Sequence, residues 1–493
     1  MKRINQDISL FQRIFTAARA HPEQTIIKDA ERHWSWEALL VRAYDYNCFI
    51  QEQAPRSAGN EFIPILVNRS GESIAAMLGC LLARRAFVPI DAQQPEERMV
   101  KAIQSIKSTI ILNPGEKAVQ ELYKNDYKEP NVSADDLIYI LFTSGSTGTP
   151  KGVMVDYGNI ENTMLWSEEI LCWEQDTVIG CATNLFFDIS IFDIFTSLYF
   201  NIPLAILSQP SDPLAVIEEI RQFEITSLFS APVFFSQLFQ RGCLEKLNGS
   251  TLRQIISGGD FFPPSHILAW RESLPSVKIY NVWGPTESSI VNTMHIITEN
   301  DLPRLRDGAY PSVGRAHPRM PFYIVDESLK ILKEPRQRGE ICMLGLCVTR
   351  GYLNDKEKTK TCYIQLNGEL AYRTQDLGYV DEQGQLYILG RMDSTVKISG
   401  YRIDLGEVEC AASQLPEIYL AGAVVQELEP GHKELWLGIE PHDKNTKINI
   451  FSIKQQLRKI LPSYMVPKRI KVFAELPKMT NRKINRRAIA DAI

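Results

Sequence analysis

The chain has no C-x-x-C pair and no H-E-x-x-H, although it carries nine cysteines and seven histidines. Scattered from Cys48 to Cys410, the thiols suit neither a disulfide framework nor a zinc site and read as reduced groups. Long hydrophobic runs are missing as well. The longest, Ile74 to Ala83, is about half a membrane span. The opening M-K-R-I-N-Q-D-I-S-L has charge but no apolar core of signal-peptide length. No basic run or aromatic-interleaved patch occurs, and the net charge of −5 argues against nucleic acid as a partner. Internal repeats and low-complexity segments are also absent. These absences predict a cytoplasmic protein with no membrane or nucleic-acid partner.

What is present is an ordinary globular composition, 44% apolar and 23% charged, in a chain too long at 493 residues for one compact core. Residues 9–50 read as an amphipathic helix, a short strand pair around Thr25 to Trp36, and a second helix. Phe62 to Val67 reads as a strand, followed by a helix that Ser70 or Gly71 starts. Leu81 to Asp91 carries a helix into a buried strand, and this alternation continues to about residue 300. The fold class predicted is α/β with mostly parallel sheets.

The most informative stretch is Leu137 to Gly152, L-I-Y-I-L-F-T-S-G-S-T-G-T-P-K-G. Leu137 to Phe142 has the length and composition of a buried strand. Beyond it, Gly145, Gly148 and Gly152 let backbone N–H groups approach an anion. Thr143, Ser144, Ser146, Thr147 and Thr149 add hydroxyls, and Lys151 adds a cation. That chemistry suits a polyphosphate. The loop is not the G-x-x-x-x-G-K-[ST] of P-loop enzymes, because Lys151 lies between Pro150 and Gly152.

Three further carboxylates stand out. Asp188, in N-L-F-F-D-I-S-I-F-D-I-F, lies among apolar residues, where a lone acid is costly. It either caps the helix Ile189 to Leu198 or meets a ligand's ammonium group. Glu287 follows a Gly284-Pro285 turn that gathers Asn281, Trp283 and Thr286 around one point. An aromatic beside an amide can hold a purine, and a carboxylate near phosphates can hold Mg²⁺; a plain polar turn is the other reading. Asp376, in A-Y-R-T-Q-D-L-G-Y, is either a turn aspartate or an acceptor for two hydroxyls at once.

In this order, these segments resemble the adenylate-forming superfamily of acyl-CoA synthetases, luciferases and nonribosomal adenylation domains. T-S-G-S-T-G-T-P-K-G is similar to its phosphate loop, and W-G-P-T-E to its Y-G-P-T-E with Trp283 for tyrosine. Y-R-T-Q-D resembles Y-R-T-G-D with Gln375 for glycine, and F-D-I-S at Asp188 resembles the amine-holding F-D-x-S of amino-acid adenylation domains. W-S-W-E-A-L from Trp34, L-L-A-R-R-A-F-V-P-I-D from Leu81, G-E-I from Gly339 and R-G-Y from Arg350 look like further family segments. So do V-K-I-S-G-Y-R-I-D-L-G-E from Val396, L-P-S-Y-M-V-P from Leu461 and N-R-K-I-N-R from Asn481. The resemblance spans nearly the whole chain.

It implies a large N-terminal domain of layered α/β subdomains, residues 1–392, and a small mobile α+β domain, 393–493, hinged at Asp393. It implies ATP and Mg²⁺ as cofactors. ATP would be held by Thr143, Ser144, Gly145, Ser146, Thr147, Gly148, Lys151, Gly259, Asn281, Trp283, Thr286, Asp376 and Arg391, with Glu287 on the metal. Lys483 would be the catalytic lysine. By motif alignment the amino-acid pocket would comprise Asp188, Ile189, Phe192, Phe229, Ile256, Gly258, Val282, Ile290 and Val291. Only Asp188 among them is charged; Gly258 is expected to leave depth, while Phe192 and Phe229 narrow the cavity. A medium aliphatic substrate follows, Ile, Val or Leu, with Pro or Ala next. The activity implied is amino-acid adenylation, then transfer to the phosphopantetheine thiol of a separate carrier protein. A D-alanine–carrier protein ligase, an acyl- or aryl-CoA ligase and a nucleotide-binding regulator without turnover are the alternatives.

Overall fold

The computed structural model describes residues 9–54, 61–115, 130–143, 151–392, 395–442, 448–477 and 484–493. Its first elements follow the local sequence signals closely. Ser9 caps the helix Leu10–Ala20 in a reciprocal box with Gln12, and Ser35 caps the helix Trp36–Gln53. Ser70 caps Gly71–Leu82, a helix buried nearly all round because Met77, Leu78, Cys80 and Leu81 leave it no polar face.

Three sheets form the large domain. In the eight-stranded sheet, Lys278–Trp283, Gln254–Ser257, Ser227–Ser230, Ile179–Cys181, Leu204–Ile206 and Thr25–Lys28 run parallel. Thr293–Ile296 and His33–Ser35 close its two edges antiparallel. The parallel strands Ser227–Ser230 and Gln254–Ser257 are short and buried at every position, as helix-covered parallel sheets require. The second sheet has the order Gly351–Tyr352, Lys151–Asp156, Leu137–Thr143, Ala86–Asp91, Phe62–Val67. Here Thr143 pairs with Lys151, so the two ends of the serine- and glycine-rich stretch lie opposite one another. The third sheet is antiparallel and includes Gly339–Leu344, Glu369–Val380 and Gln385–Arg391.

The small C-terminal domain has its own core, from Ile398 through Leu437 to Ile470. It opens with a hairpin, Thr395–Ile398 against Tyr401–Asp404, whose two-residue turn is Ser399-Gly400. Both turn residues have positive φ, 53° and 81°, the backbone of a tight primed turn. The rest is a three-stranded sheet, Ile418–Glu429, His432–Pro441 and Arg469–Val472, with helices Leu405–Ser413 and Ile450–Ile460. Among the described residues no helix is long and apolar enough to cross a membrane.

The small domain sits against the large one through named contacts. Arg98 and Glu407, both almost fully buried, form an ion pair across the interface. Lys433 Nζ lies 2.7 Å from Asp260 Oδ1. Tyr401, stacked on Tyr464 within the small domain at 4.0 Å, meets Phe187 of the large domain edge-on at 5.0 Å. A Cβ on Gly400 would lie 2.6 Å from Ala231 Cβ, so the hairpin tip approaches as closely as a glycine permits.

Candidate active site

Two connected cavities open beyond the C-terminal ends of the parallel strands, the usual place for a ligand in open α/β sheets. Three strands each deliver site residues where they end: Phe229 from Ser227–Ser230, Gly258-Gly259 after Gln254–Ser257, and Val282-Trp283 at the close of Lys278–Trp283.

The larger cavity, about 260 Å³, is lined by Gly259, Asn281, Trp283, Tyr310, Asp376 and Arg391 from the large domain. Lys397 and Lys433 reach it from the small one. Asn281 donates from Nδ2 to the Ser312 carbonyl at 2.8 Å. Asp376 is 4% exposed and already engaged on both oxygens. Oδ1 accepts from Arg391 at 2.9 Å, and Oδ2 accepts from the indole N–H of Trp283 at 3.0 Å. The residue standing where the family has tyrosine therefore uses its ring edge to orient Asp376. Each carboxylate oxygen keeps a second lone pair for a ligand.

The smaller cavity, about 100 Å³, holds Asp188 against Ile189, Phe229, Gly258, Val282, Ile290 and Val291. Asp188 is the first residue of the helix Asp188–Phe200, whose N-cap position is Phe187. Its Oδ1 accepts the Ile189 amide at 2.9 Å and its Oδ2 accepts the Thr286 hydroxyl. Burial raises its pKa, opposed by Thr286 and by the nearby Lys397. The two sequence readings of Asp188 are thus not exclusive: it opens the helix and still faces the cavity.

Two expected wall residues are not there. Phe192 and Ile256, each about 1% exposed, belong to the core behind the cavity; Phe192 packs edge-on to Phe229 at 5.4 Å. Gly258 gives less depth than expected, because a Cβ there would lie 2.5 Å from Val282 Cγ2. Alignment fixes the position of a residue along its strand, whereas packing decides which neighbour fills the space it vacates. Ile290 and Ser289 both have positive φ, 79° and 66°, an unusual conformation for a β-branched residue. A buried network holds that turn: Thr163 donates to the Ser289 carbonyl at 3.1 Å, and Ser289 Oγ to the Cys347 carbonyl at 2.8 Å.

Glu287, fully buried in the turn Thr286–Ser288, accepts from the Tyr352 hydroxyl at 2.8 Å and from Arg402 at 2.9 and 3.1 Å. Burial alone would raise its pKa, but Arg402 and Tyr352 outweigh burial and hold it below the ordinary carboxylate value. Lys151 is held below the usual lysine value by burial and by the cations Lys358 and Arg402. Lys397 lines both cavities, and burial lowers its pKa against the pull of Asp376. The positions Ser144, Gly145, Ser146, Thr147, Gly148, Asp393 and Lys483 lie outside the described residues.

Sequence reasoning missed Lys397, Arg402, Tyr352 and the Lys433–Asp260 pair. The signal for the first two was in view: in V-K-I-S-G-Y-R a tight Ser-Gly turn sits between two cations, so a hairpin presents both at one end.

The family described as AMP-binding enzyme matches residues 14–353. Bacitracin synthase 3 of Bacillus licheniformis is 30% identical over 492 residues, covering 96% of this chain and 8% of that protein. The chain thus spans less than a tenth of that relative. A D-alanine–D-alanyl carrier protein ligase of Bacillus licheniformis is 28% identical over 509 residues, covering 99% of this chain and all of that protein. Among solved structures, a nonribosomal peptide synthetase protein containing adenylation and PCP domains superposes with a TM-score of 0.85 at 25% identity, covering 99% of this chain and 84% of that one. The Vibrio cholerae adenylation domain AlmE, solved with glycyl-adenosine-5'-phosphate, superposes at 0.84 with 22% identity, covering 100% and 98%, and agrees in fold.

Proposed function

The chain belongs to the AMP-binding enzyme family, and from that premise we propose that it activates a small or medium aliphatic amino acid as its adenylate and passes it to a carrier-protein thiol. The observation that carries this reading is one carboxylate, Asp188, facing an apolar wall of Ile189, Phe229, Val282, Ile290 and Val291 in a cavity that adjoins the larger one at Asp376 and Trp283. An ammonium group fits that carboxylate, which retains acceptor capacity beyond Thr286 and Ile189. A charged or strongly polar side chain set against that wall would lose its water without gaining a partner.

The chain's own groups divide the work. Asn281 and Trp283 border the nucleotide side, and Asp376 with Arg391 is placed for ribose hydroxyls. Glu287 is the carboxylate for Mg²⁺. Its donor chemistry fits a hard cation that takes one carboxylate and substrate phosphates, once Arg402 has left its oxygens. When bound, the cation neutralises phosphate charge. Lys483 would stabilise the charge that gathers where the substrate carboxylate meets the α-phosphorus. The family's pattern puts the hinge at Asp393, and we read the residues from there onward as the part that moves.

Within the aliphatic class the shallow floor over Gly258 favours valine, proline or alanine over isoleucine and leucine. One observation favours a second reading, D-alanine: the full-length match to a D-alanyl carrier protein ligase. Amino-acid-dependent ATP–pyrophosphate exchange across the proteinogenic set and both alanines tests the proposal, with carrier protein and CoA compared as acceptors. Preference for an acidic, basic or bulky aromatic substrate would overturn it. Lys483→Ala should cut exchange at least about a hundredfold, the scale of one transition-state contact, while sparing thiol transfer from supplied adenylate. Equal damage to both steps would remove Lys483 from the chemistry.

A further inference from the structure

The second sheet carries another cavity, of about 200 Å³, at the end away from Thr143 and Lys151. Its floor is the start of three neighbouring parallel strands: Phe62, Ala86 and Leu137 begin Phe62–Val67, Ala86–Asp91 and Leu137–Thr143. The seven residues of Leu137–Thr143, about 20 Å of strand, separate it from the candidate active site. Its walls hold charges of both signs, Glu61, Asp135 and Asp136 with Arg84 and Arg350. Two of these are already committed. Arg350 pairs with Asp156 at 3.0 Å and donates to the Asp135 carbonyl, and Asp136 Oδ2 accepts the Ser133 amide at 2.9 Å. Among the described residues the side chains of Glu61, Asp135 and Arg84 make no hydrogen bond or ion pair. Arg84 is held there by a backbone φ of 57°, which glycine adopts freely and arginine only at a cost. Tyr157 closes the cavity from the inside. It is 4% exposed, its ring lies 5.4 Å from that of Phe11, and its hydroxyl has no hydrogen-bond partner among the described residues. Burial lifts its pKa, Asp136 adds to the rise and Arg84 opposes it, so the hydroxyl stands within reach of the charges on the walls. A buried phenol without a partner is costly, and a ligand in the cavity would relieve that cost.

We propose that this cavity is a second ligand site, apart from the candidate active site, and that it binds a small zwitterion of the amino-acid type. Arg84 and the Tyr157 hydroxyl take the carboxylate, Glu61 and Asp135 take the ammonium group, and Phe62, Val132 and Leu137 receive an aliphatic side chain. Ligands of a single sign fit less well. An anion would lie against two uncommitted carboxylates, and a metal ion would lie against the Arg84 guanidinium. A polyol would leave hydroxyls unpaired on the apolar floor. The site stands whatever substrate the candidate active site activates, because the two share no lining residue.

The test places para-fluorophenylalanine at Phe62, on the cavity floor, in the full chain and follows its fluorine resonance during titration with valine. The controls are isobutylamine, which is valine without its carboxylate, and isovalerate, which is valine without its ammonium group. Valine should give a saturable shift with a Kd on the order of a millimolar, the range for so few atoms. Each control should bind at least about tenfold more weakly, the scale of one charge-assisted contact. Arg84→Gly, which relieves the backbone rather than straining it, should weaken valine by about tenfold and leave pyrophosphate exchange unchanged. Tyr157→Phe keeps the ring on Phe11 and should weaken valine by about fivefold, the share of one neutral hydrogen bond. No saturable shift with valine, or a shift that both variants leave as it is, would overturn the proposal. So would a control that binds as tightly as valine, since the cavity would then serve one charge only. An active site that takes no valine changes none of these expectations: its failure shows in pyrophosphate exchange, and the failure of this site shows in the resonance at Phe62.

Discussion

The two sides of the site differ in their balance of charge. From the large domain come Asp188, Asp260, Glu287 and Asp376, with Arg391 beside the last; the acids are held by backbone amides, hydroxyls or an indole as well. From the small domain come Lys397, Arg402 and Lys433, on two hairpins. Each side would be electrostatically unfavourable if buried alone, and together they neutralise one another without any ligand. The lesson concerns coupling. A ligand charge that enters here alters a balance to which both domains contribute, which couples ligand occupancy to domain position.

The largest effect should come from breaking the acidic side at Asp188. Asp188→Ala removes the carboxylate that faces the apolar wall of the smaller cavity and leaves a substrate ammonium group buried without its partner, a loss of about 3–5 kcal/mol. The expected result is a rise of more than about a hundredfold in amino-acid KM, with ATP binding little changed. Equal loss of both ligands, or an unfolded variant, would return Asp188 to a purely structural role at the start of its helix.

Breaking the cationic side calls for keeping its hairpin from seating. Gly400 has a φ of 81°, and an added Cβ would meet Ala231 Cβ at 2.6 Å, where neither atom has room to yield. An alanine there carries about 1–2 kcal/mol of left-handed strain and about 1–3 kcal/mol of overpacking, the second felt only when docked. Gly400→Ala should slow thiol transfer about tenfold or more, with pyrophosphate exchange nearly intact. A parallel fall in exchange would mean that this docked form also serves the first step.

The acidic side was legible in the sequence and the cationic side was not, for a physical reason. Asp188, Glu287 and Asp376 are carboxylates among apolar or glycine-rich neighbours, so each demands a local explanation. Lys397 and Arg402 are ordinary on a surface hairpin, and become functional only because Gly400 lets that hairpin press against Ala231, a contact between positions 169 residues apart. The strands and helix caps were readable for the same reason the carboxylates were: Ser9, Ser35 and Ser70 act on amides three residues ahead. The depth of the smaller cavity was hidden, since Val282 filling the space over Gly258 is a packing outcome between two strands.

The smallest effect sharpens how the acidic side is held. Gln375 stands where the family's pattern has glycine, and its φ of 60° is the conformation that glycine adopts freely. The backbone there is fixed from both ends. Its amide donates to Glu340 Oε1 at 3.0 Å, and its carbonyl accepts from Met392 at 2.8 Å, just before the proposed hinge. Asp376 follows directly, its own amide donating to Thr374 Oγ1 at 3.0 Å. If those backbone bonds, rather than the glutamine side chain, aim Asp376, then Gln375→Gly relieves about 1 kcal/mol of strain. Against this, glycine gives the unfolded chain about 0.4–1 kcal/mol of extra freedom. The two nearly cancel, so denaturant titration should show stability changed by no more than a few tenths of a kcal/mol, and ATP KM should be unaltered. A clear loss in either measurement would assign the glutamine side chain a share in placing Asp376, and with it a share in the charge that the small domain's lysines and arginine come to meet.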